Sequence, residues 1–146
     1  MDIEVSENPV AFDLYGLSGD VADFDYGCTG KKLMDELWRR VRENGIPNKG
    51  KNFWVYDRIN HMSTCVELKD GAVADGLLDH LPISISKYAY YKHVGPYTLL
   101  GAVHRGMEAE LRERGLVECG PRVEKYGDWV EDENQFVTEV FIGLSY

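Results

Sequence analysis

The feature that most constrains this chain is a repeat. Leu33, Leu37, Val41 and Gly45 stand 70 residues before Val103, Met107, Leu111 and Gly115, and the same offset carries Tyr56 onto Tyr126. Apolar residues four apart mark one face of a helix, and glycine is a frequent helix stop. The spacing predicts a first helix over residues 29–44. Its face would be Leu33, Leu37, Trp38 and Val41, with Thr29 as the cap and Gly45 as the end. A second helix is predicted over 97–114. Its face would be Leu99, Val103, Met107 and Leu111, and Gly115 would end it.

Strand-like segments surround each helix in the same order. Residues 11–15 and 87–93 open the two halves, and 52–55 and 122–125 lead into the matched tyrosines. After a polar loop come 63–68 in the first half and 137–142 in the second. Thr64-Cys65-Val66 then matches Thr138-Glu139-Val140, which makes Cys65 the expected pseudo-symmetric partner of Glu139. The expectation is an α+β fold: one domain over 1–146 built by tandem duplication of a β-α-β-β module. The modules cover about 10–70 and 84–146, with 73–80 a short helix or turn between them. Each module must bury its face against something. Two antiparallel sheets related by a pseudo-twofold axis would do so and leave a central cleft.

Glu139 interrupts the most apolar strand. Its neighbours from Phe136 to Ile142 are apolar or β-branched, which suits a strand buried on at least one face. A carboxylate there is costly to bury without compensation. It either points into water from a half-wet sheet or forms the floor of an aromatic pocket. Strand alternation puts Val137, Glu139 and Phe141 on one face and Thr138, Val140 and Ile142 on the other. If the second set packs on the helices, Glu139 and Phe141 look away from them. The repeat then predicts Trp54, Tyr56 and Tyr126 on the same non-helical face, with Tyr90 or Tyr91 but not both. Nine tyrosines support a ligand-facing use, since each buried hydroxyl needs a partner.

Charge and composition exclude several classes. A net charge of −9 argues against direct nucleic-acid binding, which needs a basic footprint. No segment approaches the roughly 20 apolar residues of a membrane span, and the acidic N-terminus shows no signal peptide. Cys28, Cys65 and Cys119 are too few and too widely spaced for a disulfide framework or a zinc site, so they are expected to be reduced thiols of a cytoplasmic protein. Gly27-Cys28-Thr29-Gly30-Lys31-Lys32 precedes a helix, but its glycine spacing is too short for a phosphate loop, and Lys32 stands where Ser or Thr is needed. His61, His80, His93 and His104 lack metal-ligand spacing, and His93 is expected to fix the turn into the second helix. A Cys65–His61 nucleophile pair is conceivable on a hairpin but has little support. No metal, cofactor or catalytic residue is assigned.

The segment Tyr88-Ala89-Tyr90-Tyr91-Lys92-His93-Val94-Gly95-Pro96-Tyr97 resembles the signature of the GyrI-like, or bacterial effector-binding, superfamily, with its His-x-Gly-Pro-Tyr core at His93 to Tyr97. The likeness continues through Glu113-Arg114-Gly115, Gly120-Pro121 and Glu124-Lys125-Tyr126 to Thr138-Glu139-Val140-Phe141-Ile142. It is looser in the first half, at Glu36-Leu37-Trp38 and Trp54-Val55-Tyr56-Asp57. The resemblance implies the duplicated β-α-β-β fold. In the drug-sensing members an acidic residue of the last strand meets cationic ligands among aromatic rings, and Glu139 stands at that position. The expected ligand is therefore an amphipathic, preferably cationic small molecule, held by Glu139, Tyr126, Tyr56, Trp54, Phe141 and Tyr90 or Tyr91. The superfamily also contains hydrolases of strained electrophiles and gyrase-inhibitory proteins, so both readings stay open. A separate DNA-binding or gyrase partner would be compatible with the absence of any DNA-binding segment here.

Overall fold

The computed structural model describes residues 1–146, in two compact units. One unit comprises residues 11–84, and the other joins residues 1–10 to 85–146.

The elements run β1 (Glu4–Ser6), β2 (Val10–Asp20), α1 (Tyr26–Glu43), β3 (Asn48–Arg58), β4 (His61–Leu68), β5 (Asp79–Ile85), β6 (Tyr88–Val94), α2 (Leu100–Glu113), β7 (Glu118–Tyr126) and β8 (Val137–Leu144). The unit of residues 11–84 carries sheet order β5-β2-β4-β3 beside α1. The other unit carries β1-β6-β8-β7 beside α2. In each, the strand before the helix pairs with the last strand of the module, and every resolved pairing is antiparallel. An α+β fold with antiparallel pairing is thus observed, and the strand-helix-strand-strand order occurs twice.

The helices follow the predicted apolar spacing. Leu37 and Val41 pack with Ile46, Val66, Ala74 and Leu78. Val103, Met107 and Leu111 pack with Ile3, Ala89, Leu100, Val140, Ile142 and Leu144. Gly45 and Gly115 both take positive φ, +58° and +68°, directly after their helices; only glycine adopts this conformation without strain.

Two local expectations need correction, and two further details are added by the structure. Helix α1 begins one turn before Thr29, because the Asp25 carboxylate accepts a hydrogen bond from the Cys28 N–H at 3.0 Å and caps the earlier turn. Leu99 is half exposed and belongs to a 3₁₀ turn over Tyr97–Leu99; α2 starts at Leu100, which takes the buried place. Of the short helix or turn expected over 73–80, the structure shows the turn, followed by the start of β5, and His80 stacks on Tyr15 at 4.5 Å between ring centroids. The N-terminal segment also forms a strand, with Val5 opposite Ala89.

Candidate functional site

Cross-strand register fixes which side chains share a face, because residues directly opposite one another in an antiparallel pair point to the same side. In the unit built on β8, Val140 and Ile142 lie in the core under α2. Their register partners Glu124 and Arg122 on β7, and Tyr91 and Ala89 on β6, share that helix side. The opposite face carries Glu139 between Lys92 and Lys125, Phe141 between Tyr90 and Val123, and Gly143 beside Tyr88. Glu4 on β1 stands opposite Tyr90 and extends this face.

The centre of that face is a hydrogen bond. The Tyr90 hydroxyl donates to Oε1 of Glu139 at 2.6 Å. Phe141 packs against Tyr90 and Tyr88, with ring centroids 5.1 and 5.6 Å away. Burial raises the Tyr90 pKa, and the neighbouring Glu139 carboxylate raises it further through the hydrogen bond and its charge. The phenol therefore remains a donor throughout the neutral range. Glu139 itself is half-buried. It is neither free in bulk water nor locked to an arginine.

The structure brings Glu139, Phe141 and Tyr90 together as expected and decides between the two adjacent tyrosines. Tyr90 faces Glu139, whereas Tyr91 packs on the helix-side core. It does not bring Tyr126, Tyr56 or Trp54 to that face. Tyr126 lies opposite Thr138, on the helix side, and its hydroxyl donates to Oε1 of Glu124 at 2.7 Å. Trp54 lies against Gly30 of α1, and Tyr56 makes an edge contact with Tyr26 at 5.5 Å. Both point to the helix side of their own sheet. Alternation along a strand ranks residues relative to one another, but the loop over 127–136 sets the register between β7 and β8. That register puts Lys125, not Tyr126, beside Glu139.

The same register corrects the partner of Cys65. Cys65 pairs with Phe53 and Gly16, while Phe141 pairs with Val123 and Tyr90. Phe53 precedes Val123 by 70 positions, and Gly16 precedes Tyr90 by 74. Cys65 therefore corresponds to Phe141. Ser63, opposite Ser18 and Val55, corresponds to Glu139. The two tyrosines at the common offset make similar ring contacts. Tyr56 meets Tyr26 edge-on at the start of α1, and Tyr126 meets Tyr97 edge-on at 5.2 Å just before α2.

A second constellation lies under α2. Nε2 of His104 meets Oε2 of Glu124 at 2.7 Å, and Nδ1 of His104 meets Nη1 of Arg122 at 3.1 Å. Arg122 also donates to Glu108 at 2.9 Å and to Glu118 at 2.6 Å. A guanidinium has only donors, so Nδ1 of His104 must accept, and Nε2 carries the proton given to Glu124. Burial alone would lower the Arg122 pKa, but the hydrogen bonds and charges of Glu118 and Glu108 outweigh it and the net shift is upward. In the other unit, residues 70 positions earlier, Trp38 and Asn52, form a neutral hydrogen bond at 2.6 Å in place of Glu108 and Arg122. Sequence reasoning missed Tyr88, Lys92 and Lys125, and it also missed the His104–Glu124–Arg122 chain. The helical offset from His104 to Glu108 and the alternation from Arg122 to Glu124 were the available signals.

No family model and no curated protein matches the chain. Solved structures do. The chain is similar to the EcmrR C-terminal domain with TM-score 0.77 and 18% identity, covering 99% of each chain. The chain therefore has the fold of the EcmrR C-terminal domain. The structure of SAV2435 bound to tetraphenylphosphonium aligns with TM-score 0.59 and 15% identity, over 99% of this chain and 94% of that one. A hydrolase from Listeria innocua aligns with TM-score 0.55 and 11% identity, over 98% and 91%. Against EcmrR in its DNA complex the chain spans 57% of that protein's length.

Proposed function

We propose that this protein binds amphipathic small molecules, preferably cationic ones, on the face formed by Glu139, Tyr90, Phe141 and Tyr88. The observation that carries this reading is the Tyr90–Glu139 hydrogen bond beside the Phe141 ring. A lipophilic cation is weakly hydrated and loses little on leaving water. The half-buried carboxylate gains a counter-charge, and each aromatic face adds about 0.5–2 kcal/mol of cation–π attraction. Flat rings with few fixed polar contacts favour breadth over narrow selectivity. The tetraphenylphosphonium complex of SAV2435 supports a ligand of this class. With a net charge of −9, direct DNA contact is not part of this function.

The test is titration calorimetry with tetraphenylphosphonium and a neutral analogue of the same shape. Glu139→Gln is expected to weaken the cation about tenfold, or about 1.4 kcal/mol, and to leave the neutral compound unchanged. Equal losses for both compounds would refute the role of the charge. The hydrolase relative favours a second reading, in which Glu139 works on a water and Tyr90 orients an electrophile. Turnover of a strained electrophile, lost in Glu139→Gln, would establish it.

A further inference from the structure

The binding face is not simply acidic. Glu139 lies in one cross-strand row with Lys92 and Lys125, and Glu4 stands in the next row opposite Tyr90. The face therefore presents two carboxylates and two ammonium groups around the rings of Tyr88, Tyr90 and Phe141. Its formal charges cancel.

Lys92 is exposed and directly opposite Glu139, yet the Glu139 carboxylate takes its hydrogen bond from the Tyr90 phenol and forms no ion pair with Lys92. Directly opposed residues have Cβ atoms about 4.5–5.5 Å apart, and the four-carbon lysine stem sweeps a wide arc from that point. A ligand cation seated at Glu139 thus lies within reach of a mobile positive charge. A simple lipophilic cation meets repulsion there. A ligand that also carries an anionic group a few bonds from its cationic centre turns that repulsion into a second contact.

Resting on the binding reading above, we infer that the preferred ligand class is amphoteric: an aromatic body bearing a cationic centre and a nearby carboxylate or similar anion. The cationic centre sits at Glu139 and Tyr90. The aromatic body covers Phe141 and Tyr88. The anionic group faces Lys92.

A matched pair of probes isolates the anionic contact. Carboxyethyl(triphenyl)phosphonium is a zwitterion at neutral pH, and its methyl ester is a cation of nearly the same shape. Affinities are measured by calorimetry for the wild type, Lys92→Gln and Glu139→Gln, with circular dichroism confirming that each variant is folded. Lys92 is exposed and Gln is similar in shape to Glu, so folding is expected to survive both changes. The zwitterion should bind the wild type about tenfold more tightly than the ester. Lys92→Gln should abolish that preference, chiefly by weakening the zwitterion, while Glu139→Gln weakens both probes. An ester that binds the wild type as tightly as the zwitterion overturns the inference, as does a preference that survives Lys92→Gln. In either case, if Glu139→Gln still weakens the ester, the binding reading itself stands. Indifference of both probes to Glu139→Gln overturns the two together.

Discussion

Removing His104 should reveal how much the buried polar chain under α2 contributes to stability. Glu124 is 3% exposed and accepts from two groups, the Tyr126 hydroxyl and Nε2–H of His104. In His104→Phe the ring keeps most of its volume, but Glu124 loses one of those donors and Arg122 loses one acceptor while retaining Glu108 and Glu118. His104 is neutral, so its contact with Glu124 is a hydrogen bond to a charged group rather than an ion pair, and such bonds contribute about 1.5–3 kcal/mol each. Two such bonds are lost, one at Glu124 and one at Arg122, and His104 keeps some solvent contact, so the expected loss is about 3 kcal/mol, twice the lower figure for one bond. Glu124→Leu removes the buried charge and strands the neutral donors of His104 and Tyr126, so its cost should be smaller, about 2 kcal/mol. In the double variant no buried carboxylate is left to satisfy. Its cost should fall well below the sum, with a coupling of about 2 kcal/mol. Urea denaturation of the four proteins measures this cycle. Nitrogen chemical shifts of His104 should independently show the tautomer protonated at Nε2. Additivity within about 0.5 kcal/mol, or a proton on Nδ1, would refute the reasoning.

Two further outcomes follow from burial and close packing. Burial pushes the Cys65 thiol up to about 12, while Cys28 and Cys119 are exposed. A disulfide reagent at about pH 8 should therefore modify two of the three thiols in the native protein, and the third only after denaturation; three rapid equivalents would contradict the placement of Cys65. Gly30→Ala would drive a methyl group into the Trp54 ring and the Met62 terminus. The overpacking cost of about 1–3 kcal/mol exceeds the gain in helix propensity of at most about 1 kcal/mol, so the thermal midpoint should fall.

Several features were legible because they are written in short-range patterns. The apolar faces of α1 and α2 needed only the periodicity of a helix, and their ends needed only Gly45 and Gly115. The opposed faces of β8 needed only alternation, which placed Val140 and Ile142 on the core side and Glu139 and Phe141 on the other. The β-α-β-β order needed only the common offset.

Other features depended on long-range pairing. Tyr126, Tyr56 and Trp54 were expected beside Glu139, yet all three face helices. Alternation orders the residues of one strand, but a shift of one position against the neighbouring strand reverses every assignment. The loops before β4 and β8 set that shift, and no local pattern encodes it. The same pairing put Lys92 and Lys125 beside Glu139, made Ser63 rather than Cys65 the counterpart of Glu139 across the repeat, and chose Tyr90 over Tyr91. His104, Glu124 and Arg122 meet only because α2 crosses β7 where it does.

Sequence periodicity alone thus determined which elements form, where the helices stop and which strand carries a costly carboxylate. Tertiary pairing decided that carboxylate's company: a phenol and two lysines in place of three further aromatic rings. Local patterns record the preferences of each segment, whereas the charge around a site depends on residues from separate strands meeting in one register.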